Sequence, residues 1–248
     1  MARRPNERDF VLMSPSPLQS AKEPAVIDLK AAYLTLGKAA ATVNILKGID
    51  LQIGAGETVG VLGPSGAGKT SLLMVIAGLE TLTKGQVSIS GTDITKIEED
   101  PLAALRRDMV GIVFQAFRLI PSLTALQNVA IPLELAGRDN SNVLAAAALE
   151  SVGLGHRLSH LPDQMSGGEQ QRVAIARAIA PGPRILLADE PTGNLDSATG
   201  EKVVNILFES AQNSGAALVL VTHDAALASR CSRVLKIEDG IIAGDTKR

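Results

Sequence analysis

The sequence predicts an α/β fold: a mixed sheet with a mainly parallel core, an antiparallel β subdomain and an inserted helical subdomain. Three observations lead there. Apolar runs at Thr58–Leu62, Ile185–Ala188 and Leu218–Val221 read as strands buried on both faces, the pattern of a parallel sheet covered by helices. The stretch Gln86–Ser90 alternates instead, with Val87 and Ile89 on one side and Gln86, Ser88 and Ser90 on the other. It reads as an antiparallel strand with one solvated face that turns at Gly91. From Ala116 to Gln164 the texture becomes helical: Ser122 can cap a helix through Val129, and Asn142 starts an Ala-rich helix ended by Gly153.

Composition narrows the function. At 248 residues the chain can bury a full core, and its 46% hydrophobic and 20% charged residues are ordinary globular usage. Aromatics make up only 2%, with no Trp, so base-stacking platforms are scarce. A formal charge of −2 lacks the basic excess that binding along a phosphate backbone requires, and no nucleic-acid partner is expected. The single Cys231 cannot build an intrachain disulfide and fits a reducing compartment. The longest apolar runs, Leu72–Leu79 and Ala216–Val221, have the length of core elements, not of membrane spans. Residues 1–24 carry Arg3, Arg4, Arg8 and four prolines and read as a flexible tail, because the apolar patch Phe10–Met13 is too short for a secretory signal. The main domain is expected over 25–240, with a core of 25–115 and 166–240, a helical subdomain over 116–165, and a C-terminal tail over 241–248.

Residues 63–70 read Gly63-Pro64-Ser65-Gly66-Ala67-Gly68-Lys69-Thr70, a match to G-x-x-x-x-G-K-[ST]. The loop follows the strand ending at Leu62 and precedes the apolar stretch Leu72–Ile76, the order such a motif demands. Glycines let the backbone wrap phosphate oxygens, so N–H groups through Ser71 supply partial positive charge at a helix N-terminus. Lys69 is expected to reach the β- and γ-phosphates of ATP, and Thr70 to ligate Mg²⁺. Downstream, the strand Ile185–Ala188 runs straight into Asp189 and Glu190. Asp189 is placed to hold Mg²⁺, through water, and Glu190 to orient the attacking water, since phosphoryl transfer is mostly positioning and charge stabilisation.

A third motif, Met165-Ser166-Gly167-Gly168-Glu169-Gln170-Gln171-Arg172, opens a helical stretch that Pro181-Gly182-Pro183 terminates. Ser166 and Glu169 form an S-x-x-E capping box. An ordinary capped helix explains those two residues but not Gly167 and Gly168, which weaken a first turn and leave its N–H groups uncovered. An uncovered helix N-terminus is an anion site.

With these residues in hand, the sequence over about 25–240 resembles the ABC-transporter ATPases, whose signature loop is LSGGQ-like. The resemblance implies a P-loop NTPase (RecA-like) core. Gln115, after the strand Val110–Phe114, fits the Q-loop and its metal contact; Asn194-Leu195-Asp196 fits the D-loop; His223 fits the switch histidine. Catalytic parts are thereby implied for Glu190, His223 and Gln115. A homodimer is implied too, in which Ser166, Gly167, Gly168 and Asp196 of one copy close over ATP held by the other. The run Asp189–Asp196 and the segments Phe114–Pro121 and Leu123–Val129 are similar to the LolD/MacB/FtsE/YbbA branch, YbbA-type cassettes most of all.

That branch implies integral membrane permease subunits as partners and a place on the cytoplasmic face of the bacterial inner membrane, with export or extraction of envelope components as the task. Phe117, Leu119 and Ile120 are candidates for the permease groove or for the core. One position departs from the family: Leu36 stands where an aromatic usually stacks on adenine, and Tyr33 is out of register, so weak base discrimination is expected. Two other readings stay open: a nucleotide-gated regulator of a membrane-anchored protein without cargo, and a soluble nucleic-acid-associated ATPase. His156 and His160, at i and i+4, have no accompanying Cys and are not expected to bind metal.

Overall fold

The computed structural model describes residues 25–37 and 42–247, and the expected N-terminal tail lies outside them. The described residues open with β1 (Ile27–Leu36), β2 (Val43–Ile53) and β3 (Thr58–Leu62), followed by α1 (Lys69–Ile76). Then come β4 (Lys84–Ile89), β5 (Thr92–Asp93), α2 (Glu99–Met109) and β6 (Val110–Val113). Helices α3 (Ala125–Leu135), α4 (Ser141–Ser151) and α5 (Gly167–Ile179) follow. The last part is β7 (Ile185–Asp189), α6 (Ser197–Ser214), β8 (Ala217–Val221), α7 (Ala225–Ala228), β9 (Arg233–Glu238) and β10 (Ile241–Lys247).

Two sheets result. One is antiparallel, in the order β2-β1-β4-β5; the other runs β10-β9-β3-β8-β7-β6 and is parallel except for its β10 edge. The three apolar runs of the sequence are its central strands. Their side chains alternate between two cores, as the twofold strand period requires. Ile185 and Leu187 of β7 join β1, β2 and α1 in the core between the sheets, whereas Leu186 and Ala188 join the core beneath the helices. Each fully buried Leu or Ile contributes about 1.5–3 kcal/mol of transfer free energy, which is why the middles of these strands are apolar on both faces.

Three expectations change. Helix α3 starts at Ala125, capped by Thr124 and not by Ser122, and extends past Val129 to Leu135. Thr124 has Gln127 three residues on, which returns a hydrogen bond to the cap (Thr124 N–H to Gln127 Oε1, 2.9 Å); Ser122 has Ala125 there and no such partner. Helix α4 begins at Ser141, one residue before the expected Asn142.

Of the expected tail over 241–248, residues 241–247 instead form strand β10, paired antiparallel with β9. Its anchor is Arg233, which is buried. The guanidinium donates to both carboxylate oxygens of Asp245 at 2.7 Å and to the Gln52 carbonyl at 2.7 Å. Between β9 and β10, the Gly240 N–H donates to the Ala67 carbonyl (3.1 Å) and its carbonyl accepts from the Lys47 N–H (2.9 Å), so this hairpin ties the phosphate loop to the antiparallel sheet.

Hydrogen bonds from Arg233 hold the Asp245 carboxyl below the usual carboxylate range. A depressed native pKa stabilises fully above the unfolded value and is lost as pH falls through the lowered one. Asp245→Asn is therefore expected to cost about 1 kcal/mol at pH 7 in urea unfolding, discounted for the partial exposure of the pair. The gap to the unsubstituted protein should close as pH drops below the carboxylate range; a gap constant with pH would contradict the pairing.

Candidate functional site

Parallel pairing brings the carboxyl ends of four strands to one edge. Val61 of β3 pairs with Val221 of β8, which pairs with Asp189 of β7, while Ala188 pairs with Val113 of β6. The segments that leave these strand ends therefore meet: the loop from Gly63, the Thr222-His223 turn, the acids Asp189 and Glu190, and Phe114-Gln115. They line a cleft of about 520 Å³ that contains Lys69, Thr70, Gln115, Asp189, Glu190 and His223, with Ser65, Gly66, Gly68 and Ser71 of the loop. A larger cleft, about 950 Å³, lies against the antiparallel sheet but contains none of these groups.

The loop is shaped by its glycines. Gly68 has φ 99°, in the left-handed region, and a Cβ there would stand 2.9 Å from the Ile45 carbonyl oxygen. No side chain caps α1, so its first N–H groups are open toward the loop. Lys69 is buried, and its ammonium donates to the Gly63 (2.8 Å) and Pro64 (2.9 Å) carbonyls, poised over the loop it belongs to.

The acid pair is divided by geometry. The Thr70 hydroxyl donates to Asp189 Oδ1 at 3.2 Å. Burial pushes the Asp189 carboxyl up, assisted by the charge of Glu190 and opposed by Thr70 and Lys69. Glu190 continues the ladder, its N–H donating to the Val221 carbonyl at 2.9 Å, and then turns at φ 47°. A left-handed non-glycine residue of this kind costs on the order of 1 kcal/mol and clusters at functional sites. The turn brings Glu190 Oε2 within 2.6 Å of His223 Nδ1. A carboxylate only accepts, so Nδ1 carries the proton and Nε2 is the nitrogen left to a ligand.

Thr70 hydroxyl, Asp189 carboxylate and Gln115 amide are hard oxygen donors in one cleft. Mg²⁺ takes few protein ligands and completes its shell with water and phosphate, so this donor set fits it. Among the described residues no group of three or more His, Cys, Asp or Glu side chains could hold a metal unaided.

The capping box at 166–169 forms as the sequence implied: Ser166 Oγ accepts from the Glu169 N–H (3.3 Å), and the Ser166 N–H donates to Glu169 Oε2 (2.8 Å). The bond from the Ser166 N–H holds the Glu169 carboxyl below its ordinary range, with further help from Arg157. The glycines need a revised account. A Cβ on Gly168 would stand 2.2 Å from Thr199 Cγ2, so this glycine lets α5 approach α6. On Gly167 a Cβ would meet nothing closer than Leu195 Cδ2 at 3.4 Å, so packing does not demand glycine there.

Several expected site residues lie elsewhere. Ser166, Gly167 and Gly168 do not line the chain's own cleft. Asp196 caps α6, accepting from the Thr199 N–H at 3.1 Å, and lies on a neighbouring cleft of about 560 Å³ that shares His223. Leu36 is exposed at the end of β1, opposite Val43, and is not brought to the cleft. The Tyr33 ring lies over Gly48, beneath the Lys84 ammonium. Of the apolar residues after β6, Leu119 packs into the helical core and Ile120 is exposed. His160 Nε2 lies 3.0 Å from Arg157 Nη1. Gln171 escaped the sequence reading although it is fully buried; its spacing from Gly168, Ile175 and Ala178 on the buried face of α5 is the signal that could have found it.

Comparison with known proteins places the chain in a family. A family model described as ABC transporter matches residues 46–193. The chain is 45% identical over 217 residues to the uncharacterized ABC transporter ATP-binding protein YbbA of Escherichia coli K12, covering 87% of this chain and 95% of that protein. It is 42% identical to the lipoprotein-releasing system ATP-binding protein LolD of Novosphingobium aromaticivorans, covering 88% and 98%. The macrolide export ATP-binding/permease protein MacB of Rhodopirellula baltica is 46% identical over 82% of this chain and 30% of its own length. Among solved structures, the ATP-binding cassette MJ0796, a dimer in a post-hydrolysis state bound to ADP and Pi, superposes with TM-score 0.83 at 40% identity, covering 89% of this chain and 98% of the other.

The contact of Gly168 with Thr199 predicts a compensated pair. Gly168→Ala should lower stability by about 1–3 kcal/mol through overpacking. Adding Thr199→Ser, which removes the clashing methyl but keeps the backbone donor to Asp196, should recover most of the loss. Additive losses in urea unfolding of the double variant would contradict the contact.

Proposed function

The chain belongs to the ABC transporter family and is an ATPase, converting ATP and water to ADP and phosphate, and we propose that two copies close around two ATP molecules to drive a separate membrane permease. One observation carries this reading. A single cleft holds a phosphate loop, an acid pair and a histidine, while the Gly167-Gly168 turn at the capped N-terminus of α5 lies outside that cleft. Twofold symmetry places the same patch of both copies at one interface, so the α5 terminus of each can cover the cleft of the other.

In the proposed cycle the loop from Gly63 to Ser71 wraps the phosphates, with Lys69 on the β- and γ-oxygens. Thr70, Asp189 and Gln115 would hold Mg²⁺, which when bound neutralises phosphate charge. Glu190 orients a water whose lone pair forms the new bond to the γ-phosphorus as the bond to the bridging oxygen breaks and ADP leaves. His223 holds the Glu190 carboxylate by its Nδ1 proton. Ser166, Gly167, Gly168 and Asp196 act on the partner's nucleotide, so closure needs the shared ligand and hydrolysis removes it. Leu36, in place of an aromatic, would give adenine apolar contact without stacking.

The permease reading rests on the names of the relatives, which are parts of lipoprotein-releasing and macrolide export systems. No described helix is long and apolar enough to cross a membrane; in the proposed reading the membrane work is done by the permease, which the chain meets from the cytoplasmic face of the inner membrane. Exposed Ile120, Leu135 and Val143 on the helical subdomain offer apolar surface to such a partner. Export or extraction of an envelope component is the task these relatives suggest.

Glu190→Gln should keep nucleotide affinity, lower turnover at least a hundredfold and accumulate an ATP-dependent dimer in light-scattering chromatography, because the cradle stays while the water loses its orienting carboxylate. Full steady-state turnover in that variant would refute the assignment.

A further inference from the structure

Gln115 sits in a segment, 114–118, that leaves β6 for the helical subdomain with neither ladder nor helix to take its carbonyls. They are taken nevertheless, mostly by side chains from elsewhere. Phe114 O accepts from Gln171 Nε2 at 3.3 Å, and Gln115 O accepts from Asn194 Nδ2 at 3.0 Å. Phe117 O and Arg118 O accept from Arg177 Nη2 and Nη1 at 2.9 and 2.6 Å. Ala116 O accepts from the Arg118 N–H within the segment. Phe117 and Arg118 have φ of 46° and 52°, a left-handed pair that non-glycine residues adopt only where the surroundings impose it.

The donors differ in kind. Gln171 and Arg177 belong to α5, and Gln171 is fully buried, also donating to the carbonyl of Pro191, the residue after Glu190, at 2.9 Å. These two are fixed anchors. Asn194 is exposed, on the short stretch before the α6 cap. That stretch meets Gln115 twice: through the Asn194 amide, and through Gly193, where a Cβ would stand 2.6 Å from Gln115 Nε2. Gly193 thus leaves room for the Gln115 amide, which lines the cleft, while Asn194 holds the Gln115 backbone beside it.

We propose that Asn194 is a positioning residue for hydrolysis: by holding the Gln115 carbonyl it aims the Gln115 amide at the metal and water, and ties that aim to the surface stretch 193–196. The inference rests on the reading of Gln115 as a metal-facing group. Its consequence is that whatever moves 193–196, a closing second copy above all, re-aims Gln115 without touching the cleft.

Asn194→Ala should fold normally, since the side chain is exposed, and keep its melting temperature and its affinity for ATP without Mg²⁺, since the phosphate loop is untouched. The affinity of ATP-loaded Glu190→Gln protein for Mg²⁺, by titration calorimetry, should fall about fivefold when Asn194→Ala is added, and kcat in the otherwise unsubstituted protein should fall by a similar factor, the worth of one hydrogen bond. Asn194→Asp should be no better than Ala, because a carboxylate facing a carbonyl has nothing to donate to it. Gln115→Ala is the control. If it shifts Mg²⁺ affinity and Asn194→Ala does not, this inference is overturned while the reading of Gln115 stands. If Gln115→Ala shifts nothing, the reading of Gln115 fails and takes the inference with it. A parallel loss of melting temperature and metal-free ATP affinity in Asn194→Ala would also overturn it, as a purely structural effect.

Discussion

The arrangement depends on one constraint: β6, β7, β8 and β3 run parallel and in register, so their carboxyl ends finish at one level. Backbone ladders set that level, and the alternating burial of Ile185, Leu186, Leu187 and Ala188 between two cores prevents a slip by one residue, which would expose one set and bury the wrong one. Once the level is fixed, each chemical group has only one or two residues in which to leave its strand. Asp189 is the last residue of β7, Glu190 follows it, His223 comes two residues after β8, and Gln115 two after β6. Their meeting in one cleft requires no long loop to find its way.

Within the cleft, charge is handled by short-range partners. Lys69 is held by loop carbonyls, Asp189 by the Thr70 hydroxyl, and Glu190 by the His223 ring. Burial that raises Asp189 is the condition under which a cation nearby is most valuable, because a desolvated carboxylate gains most from a counter-charge. The helical subdomain is fastened to this cleft at the 114–118 segment by α5, and α5 also carries the Gly167-Gly168 turn proposed to act on a second copy. One helix therefore bears both the anchors of the residues flanking Gln115 and the surface offered to the partner.

Much of this was legible in the sequence because burial writes itself as apolar runs and phosphate binding as glycine spacing. The runs at 58–62, 185–188 and 218–221 each fall within a strand, and the S-x-x-E box at 166–169 caps α5 as read. What was missed lacks such a signal. Strand β10 is an edge strand with mostly exposed side chains, held by backbone pairing and by Arg233 from another strand, so no buried apolar run marks it. Choosing Ser122 over Thr124 ignored the reciprocal partner three residues on. The reason for Gly168 lies in Thr199, thirty-one positions away, and Gln171 and Arg177 read as ordinary helix residues because their partners are carbonyls of a distant loop. Long-range contacts of this sort belong to packing, which a single sequence does not spell out.

The central claim, that the α5 N-terminus of one copy faces the phosphate loop of another, is open to a direct chemical measurement. The one native thiol, Cys231, is buried and pushed up to about 12, so it gives a quiet background. Ser65→Cys and Ser166→Cys would be made in separate chains at positions exposed in each, mixed, and treated with a short thiol crosslinker with and without a non-hydrolysable ATP analogue. The account predicts a covalent dimer joining the two different chains only when nucleotide is present. Crosslinking that ignores nucleotide, or that fails between the two chains while a doubly substituted single chain closes on itself, would contradict it.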